Sequence, residues 1–174
     1  MATQASEQSV SQEFLQDFLP RWEAAWNSHR PETLLELMTE DIVYDDTAWP
    51  RTMRGHGDVR EFLDFTWRAF PDLRFEWTNG PYLAPDRPEA AFYWRGVGTH
   101  RGPIDPPGLP PTGKRMDFHG ADFHEYRDGK VARLRIVFDM ADCMRQLGAL
   151  PATGSRGEKA MAALARLQGR LRRS

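Results

Sequence analysis

One cysteine, Cys143, is all the chain contains, so no internal disulfide can form and no paired thiols are present to bind zinc or run redox exchange. A reducing compartment suits such a chain. Net charge is equally scarce: the formal value is -2, with both signs mixed along most of the sequence, which offers no basic field to a nucleic-acid backbone. Nucleic acid is not expected as a partner. No uninterrupted apolar stretch approaches the roughly 20 residues that a membrane-spanning helix requires, and the N-terminus, Met1 to Gln12, is polar with no apolar signal core. The expectation is a soluble, cytoplasmic protein with no membrane partner.

What is present fits one ordinary domain. A core built from 174 residues needs neither disulfides nor a structural metal. Residues 1–12 carry Gln, Ser, Thr and Glu with almost nothing to bury, which predicts a disordered lead-in. Residues 13–150 then carry the domain. Phe14, Phe18, Trp22, Ala25, Trp26 and His29 fall at helical spacing, with a break expected near Leu19 because Pro20 follows. Pro31 opens a short helix holding Leu34, Leu35, Leu37 and Met38. Ile42 to Tyr44 is a short β-prone run, and Asp45, Asp46, Trp49 and Pro50 read as a loop. Val59, Phe62, Leu63, Thr66 and Phe70 mark a third helix, stopped by Pro71.

Beyond Pro71 the period changes. Leu73, Phe75 and Trp77 alternate with polar neighbours, and Ala91 to Thr99 and Met116 to Tyr126 are further β-like runs. Asp128-Gly129 predicts a hairpin turn, and the returning strand, Val131 to Asp139, leads into a helix holding Met144 and Leu147 and closed by Gly148. Gly102 to Gly113 contains five prolines and predicts a surface loop. Residues 151–174 form a C-terminal accessory helix opened by Ser155 and Glu158; its Arg166, Arg170, Arg172 and Arg173 make either an anion-binding face or a solvated one. Helices first and a curved antiparallel sheet afterwards predict an α+β domain whose helices cover one sheet face.

Several short motifs occur in a fixed order. They are Gly55-His56-Gly57, Ala69-Phe70-Pro71-Asp72-Leu73, Gly98-Thr99-His100-Arg101-Gly102, Gly108 to Lys114, Asp128-Gly129-Lys130 and Gln146-Leu147-Gly148. Over about Phe14 to Gly148 the chain resembles the SnoaL-like polyketide cyclases, a branch of the nuclear transport factor 2-like superfamily. The resemblance implies a conical barrel of curved sheet packed on three N-terminal helices, a deep cavity, a homodimer or homotetramer, and chemistry without a cofactor. Characterised members close polyketide rings by aldol condensation, and cousins include ketosteroid isomerase, scytalone dehydratase and limonene epoxide hydrolase. Many members carry a His-Trp-Asp run in the last strand, where this chain has Leu134-Arg135-Ile136.

An aldol closure needs a base beside a carbonyl and a donor for the enolate. Asp139, which follows Val137-Phe138 at the end of the last strand, is the leading candidate base and equally fits the N-cap of the next helix. A tight turn at Asp128-Gly129 with strict alternation places His119 with Phe123, Leu134, Ile136 and Phe138, and Asp139 with Asp122, His124, Arg133 and Arg135. A bulge near Gly120 is then required to join His119 and Asp139 as a dyad. Asp122 or His124 is the substitute acid where the His-Trp-Asp run is absent. For each histidine a hydrogen-bonded structural role is the competing explanation.

Trp26, Tyr44, Trp49, Phe65 and Trp94 are candidates to line a pocket for a flat ligand, with His100 at its rim or in an exposed loop. His119, Asp122 and His124 do not make a convincing metal site, and no metal is expected. The expected function is a cofactor-independent cyclase, or a related lyase or isomerase, acting on a small polyketide-like or other natural-product intermediate. The alternatives are a limonene-type epoxide hydrolase, which needs Arg133 or Arg135 on the cavity side, and a non-catalytic small-molecule-binding domain.

Overall fold

The computed structural model describes residues 9–105 and 108–171. Most of the expected lead-in, residues 1–8, lies outside the described residues, as do Arg172, Arg173 and the side chain of Arg170. Helix α1 (Gln12–Asn27) starts on Ser11, whose hydroxyl accepts the Phe14 N–H. It continues through Pro20 without the expected break. Its face of Leu15, Phe18, Trp22, Ala25 and Trp26 is buried, and that burial outweighs the roughly 3 kcal/mol that an internal proline costs.

Helix α2 (Pro31–Leu35) is shorter than expected. Met38 belongs instead to strand β1 (Met38–Asp46), which also absorbs Asp45 and Asp46 from the expected loop. A two-residue strand β2 (Met53–Arg54) follows, then helix α3 (Gly55–Ala69), strand β3 (Arg74–Leu83), strand β4 (Glu89–Thr99), strand β5 (Arg115–Arg127), strand β6 (Lys130–Phe138), helix α4 (Met140–Leu147) and helix α5 (Arg156–Leu171).

Among the described residues the six strands form one curved, unclosed sheet in the order β2-β1-β6-β5-β4-β3. The α+β cone is as expected, except that β1 pairs with β6 in parallel, so the sheet is mixed. Helix α1 packs on β3, α3 on β1 and α4 on β5, and the core lies between these helices and the inner sheet face. Helix α5 contributes nothing to that core and leaves Met161, Leu164 and Leu167 exposed.

Aromatic side chains need room on the inner face, and glycines on the adjacent strand supply it. Trp94 lies opposite Gly120, and Phe118 lies opposite Gly96. A Cβ on Gly120 would meet Trp94 at 2.4 Å, and one on Gly96 would meet Phe118 at 2.6 Å. The bulge near Gly120 that a His119–Asp139 dyad required is absent: Gly120 pairs regularly with Phe138, and its missing side chain serves packing.

The bulge lies elsewhere. Asp128 and Gly129 both have positive φ, the signature of a two-residue type I′ turn, so Arg127 pairs with Lys130 as expected. Tyr126 then pairs with Val131 and Glu125 with Arg133, which leaves Ala132 as an extra residue on β6. One inserted residue exchanges the faces of everything beyond it. Asp122 and His124 consequently share the inner face with Leu134 and Ile136, while His119, Phe123, Arg135 and Val137 are on the exposed outer one. Strict alternation predicted the opposite grouping.

Candidate functional site

Between the inner sheet face and helices α1, α3 and α4 lies a cavity of about 300 Å³. Trp26, Phe62 and Phe65 form its helical wall, Phe75, Trp94 and Phe118 its sheet wall, and Met140, Cys143, Met144 and Leu147 of α4 one end. Burial pushes the Cys143 thiol up to about 12, so it stays a neutral apolar lining group and not a nucleophile. No lysine, arginine or histidine lines the cavity among the described residues.

Among the described residues the cavity is lined by two carboxyls, on one rung of the sheet. Asp46 ends β1 opposite Ile136 of β6, and Ile136 lies opposite Asp122 of β5. Two strand spacings separate the two acids, on the order of 10 Å between their Cα atoms. Ile136 sits where the SnoaL-like pattern has the aspartate of its His-Trp-Asp run. The missing acid is thus flanked on both sides by acids from neighbouring strands.

Asp46 follows Ile42 and Tyr44 at alternate positions, which turns it inward. Its Oδ1 accepts the Ala48 N–H at 2.7 Å, an Asx-type turn, and its Oδ2 accepts the Tyr44 hydroxyl at 3.0 Å. Burial pushes the Asp46 carboxyl up to about 7, and the charge of Asp122 adds to the rise, against these two hydrogen bonds. Burial likewise holds the Tyr44 phenol above its ordinary range, so it remains a donor.

Asp122 is 1 % exposed and held by donors. Its Oδ1 accepts Trp94 Nε1–H at 2.6 Å, and its Oδ2 lies 3.4 Å from both Trp22 Nε1 and His124 Nε2. His124 Nδ1 is in turn 2.9 Å from the Tyr126 hydroxyl.

Of the expected lining residues, Trp26, Phe65 and Trp94 face the cavity. Tyr44 and Trp49 instead pack behind Phe62, with ring centroids 5.5 and 5.4 Å from it. His100 is fully buried, neither at the cavity rim nor in an exposed loop. It lies 5.4 Å behind the Phe70 ring, and its Nδ1 accepts the Thr112 N–H. Burial holds its pKa below the ordinary histidine value.

The leading base needs correction. Asp139 is exposed, and its Oδ1 accepts the Asp142 N–H at 2.9 Å, so it caps α4 and does not enter the cavity. His119 is exposed on the outer face, stacked on Tyr93, so the two form no dyad. Arg133 and Arg135 also lie outside, beside Glu125 and Asp45, which leaves the epoxide-hydrolase arrangement without its arginine. Asp46 was missed because Asp45-Asp46 resembles turn chemistry. The alternation Ile42, Tyr44, Asp46 was the signal that could have found it.

The sequence pattern of the SnoaL-like polyketide cyclases matches residues 16–147, and the chain belongs to that family. Solved structures agree in fold. AclR from Streptomyces galilaeus, a proposed hydroxylase, is 24 % identical with a TM-score of 0.69, over 94 % of this chain and 99 % of its own. TsrD from Streptomyces laurentii is 24 % identical with a TM-score of 0.67, over 81 % and 99 %. IdmH from Streptomyces antibioticus, a proposed polyketide cyclase, is 25 % identical with a TM-score of 0.62, over 76 % and 97 %. Among curated protein sequences, none matches the chain. No helix among the described residues is long and apolar enough to cross a membrane.

Proposed function

We propose that the protein is a cofactor-independent acid–base enzyme acting on a flat, largely apolar, polyketide-like intermediate, with aldol ring closure as the reaction its family membership favours. One observation carries this reading: Asp46 lines a cavity walled by aromatic rings, where burial pushes its carboxyl up to about 7. Ionised Asp46 takes the proton from a carbon beside a carbonyl. The resulting enolate attacks the second carbonyl of the same molecule, and protonated Asp46 returns the proton to the alkoxide. The proton balances within one residue, and the charge of Asp122 adds to the effect of burial in favouring the protonated form of Asp46 between the two steps. With no cation among the described lining residues, a neutral substrate suits the site better than an anionic one.

A binding domain without chemistry is less well supported, because the cavity is not wholly apolar: Asp46 and Asp122 both line it. The same reading takes the protein as a homodimer or homotetramer, and the exposed Tyr82, Tyr93, Phe123 and Val137 of the sheet support it as surface for a second copy. Sedimentation of the purified chain checks that part.

The chemistry is tested with a pocket-sized ketone, 2-tetralone, by following exchange of its α-hydrogens in D₂O by NMR. Exchange is expected to exceed the buffer rate and to rise with pH through about 7 before levelling, as Asp46 loses its proton. A rate equal to that of buffer, or one indifferent to pH across that range, defeats the assignment.

A further inference from the structure

Behind Asp122, away from the cavity, lies a pair of polar side chains that touch no ligand space. His124 is 1 % and Tyr126 7 % exposed, and neither lines the cavity. The imidazole is boxed by Trp22, Phe92 and Phe18, with ring centroids at 4.8, 5.0 and 6.4 Å. A flat apolar ring would fill such a box equally well. Both imidazole nitrogens nevertheless meet a polar partner, Nε2 toward Asp122 Oδ2 and Nδ1 toward the Tyr126 hydroxyl.

The donors can be assigned from chemistry. An indole N–H only donates, so the Asp122 oxygens are acceptors for Trp94 and Trp22. An imidazole lone pair facing a carboxylate oxygen would be repelled, so Nε2 carries the hydrogen and donates to Oδ2. Nδ1 is then an acceptor, and the Tyr126 O–H donates to it. Burial raises the Tyr126 phenol well above its ordinary range, so that proton stays in place. The chain of donation runs one way, from Tyr126 through His124 to Asp122.

We infer that His124 and Tyr126 are positioning residues acting through Asp122: the phenol fixes the imidazole tautomer, and the imidazole holds the Asp122 carboxylate in one orientation, across Ile136 from the base Asp46. This rests on the reading of Asp46 as the base and of Asp122 as the acid whose charge acts on it. The Ala132 bulge makes the arrangement possible, since without it His124 and Asp122 would lie on the face of Arg133 and Arg135. A small misplacement inside a site is costly to rate, so a group that touches no substrate gains leverage by orienting a carboxyl that lines the cavity.

The test compares wild type with Tyr126→Phe, His124→Phe and His124→Gln. The first readout needs no substrate: the indole ¹H–¹⁵N resonances of Trp94 and Trp22, whose N–H groups both bond Asp122. Both are expected to move in His124→Phe and in Tyr126→Phe, and to return toward wild type in His124→Gln, whose amide restores a donor. The resonances of Trp49 and Trp67, which do not bond Asp122, are expected to stay. The second readout is the tetralone exchange assay, in which His124→Phe is expected to lower kcat roughly 10- to 100-fold with KM little changed. Folded His124→Phe with unmoved Trp94 and Trp22 resonances and unchanged kcat would reduce His124 to ring packing and overturn the inference. Full activity in Asp46→Asn alongside indole resonances shifted in His124→Phe would instead sink the assignment of Asp46 as the base and leave the Tyr126-His124-Asp122 chain standing.

Discussion

Asp46→Asn is expected to be nearly inactive and, at pH 8, more stable than the wild type. The loss of activity follows from removing the base, which contributes on the order of 10²- to 10⁴-fold to a proton transfer of this kind. The gain in stability follows from the same environment that makes Asp46 reactive. In the unfolded chain its carboxyl ionises near the ordinary 3.8, whereas in the fold it holds its proton until about pH 7. Below about pH 4 both states are protonated and the residue contributes no pH dependence.

Between about pH 4 and 7 the unfolded chain gives up the proton first, so stability falls as pH rises. Above about 7 the loss levels off. A rise of about three pH units corresponds, at about 1.4 kcal/mol each, to at most roughly 4 kcal/mol. Asparagine keeps the shape, accepts the Ala48 N–H through its one oxygen and turns its amide N–H toward the Tyr44 hydroxyl oxygen, and carries no charge to bury. Urea denaturation of both proteins at pH 4 and pH 8 checks this. A variant equal to wild type in stability at pH 8 would show that the fold does not hold the Asp46 proton, and one still turning over at the wild-type rate would show that Asp46 is not the base.

How far the sequence revealed this site depends on which level is asked. The helices, the hairpin turn and the Gly148 cap followed from periodicity and from residues whose backbone geometry is nearly forced, and the ordered short motifs placed the chain in its family. Aromatic supply pointed correctly to Trp26, Phe65 and Trp94. The acids were a different matter. Asp139 was prominent by its place at a strand end, yet the N–H groups of α4 claim it. Asp122 and His124 were named, but on the wrong face relative to Leu134 and Ile136, because Ala132 carries no mark of a bulge. Glycine within a strand often marks a bulge, but Gly120 is small because Trp94 lies over it. Proximity between Asp46 and Asp122 depends on β1 lying parallel beside β6, a pairing between segments about 90 residues apart that local pattern cannot encode.

Gly120→Ala is expected to be among the most disruptive single-methyl additions in the protein. The new Cβ would lie 2.4 and 2.5 Å from two carbons of the Trp94 ring and 2.7 Å from the Val137 carbonyl oxygen. The oxygen belongs to the backbone of the paired strand and can yield little, so the indole must move. Overpacking of this kind costs roughly 1–3 kcal/mol. The indole also carries the 2.6 Å hydrogen bond to Asp122, so displacing it loosens the carboxyl that faces the cavity as well as the core. Gly57→Ala is the matched control, since a Cβ there meets nothing within 4 Å on an exposed turn of α3, and the change is expected to stabilise by up to about 1 kcal/mol. Denaturation midpoints rank the two variants, and the Trp94 indole resonance reports whether the ring has moved. If Gly120→Ala unfolds at the wild-type midpoint with that resonance in place, the sheet has slack at the Trp94–Gly120 pair. The packing of that ring would then not be what holds Asp122 toward the substrate.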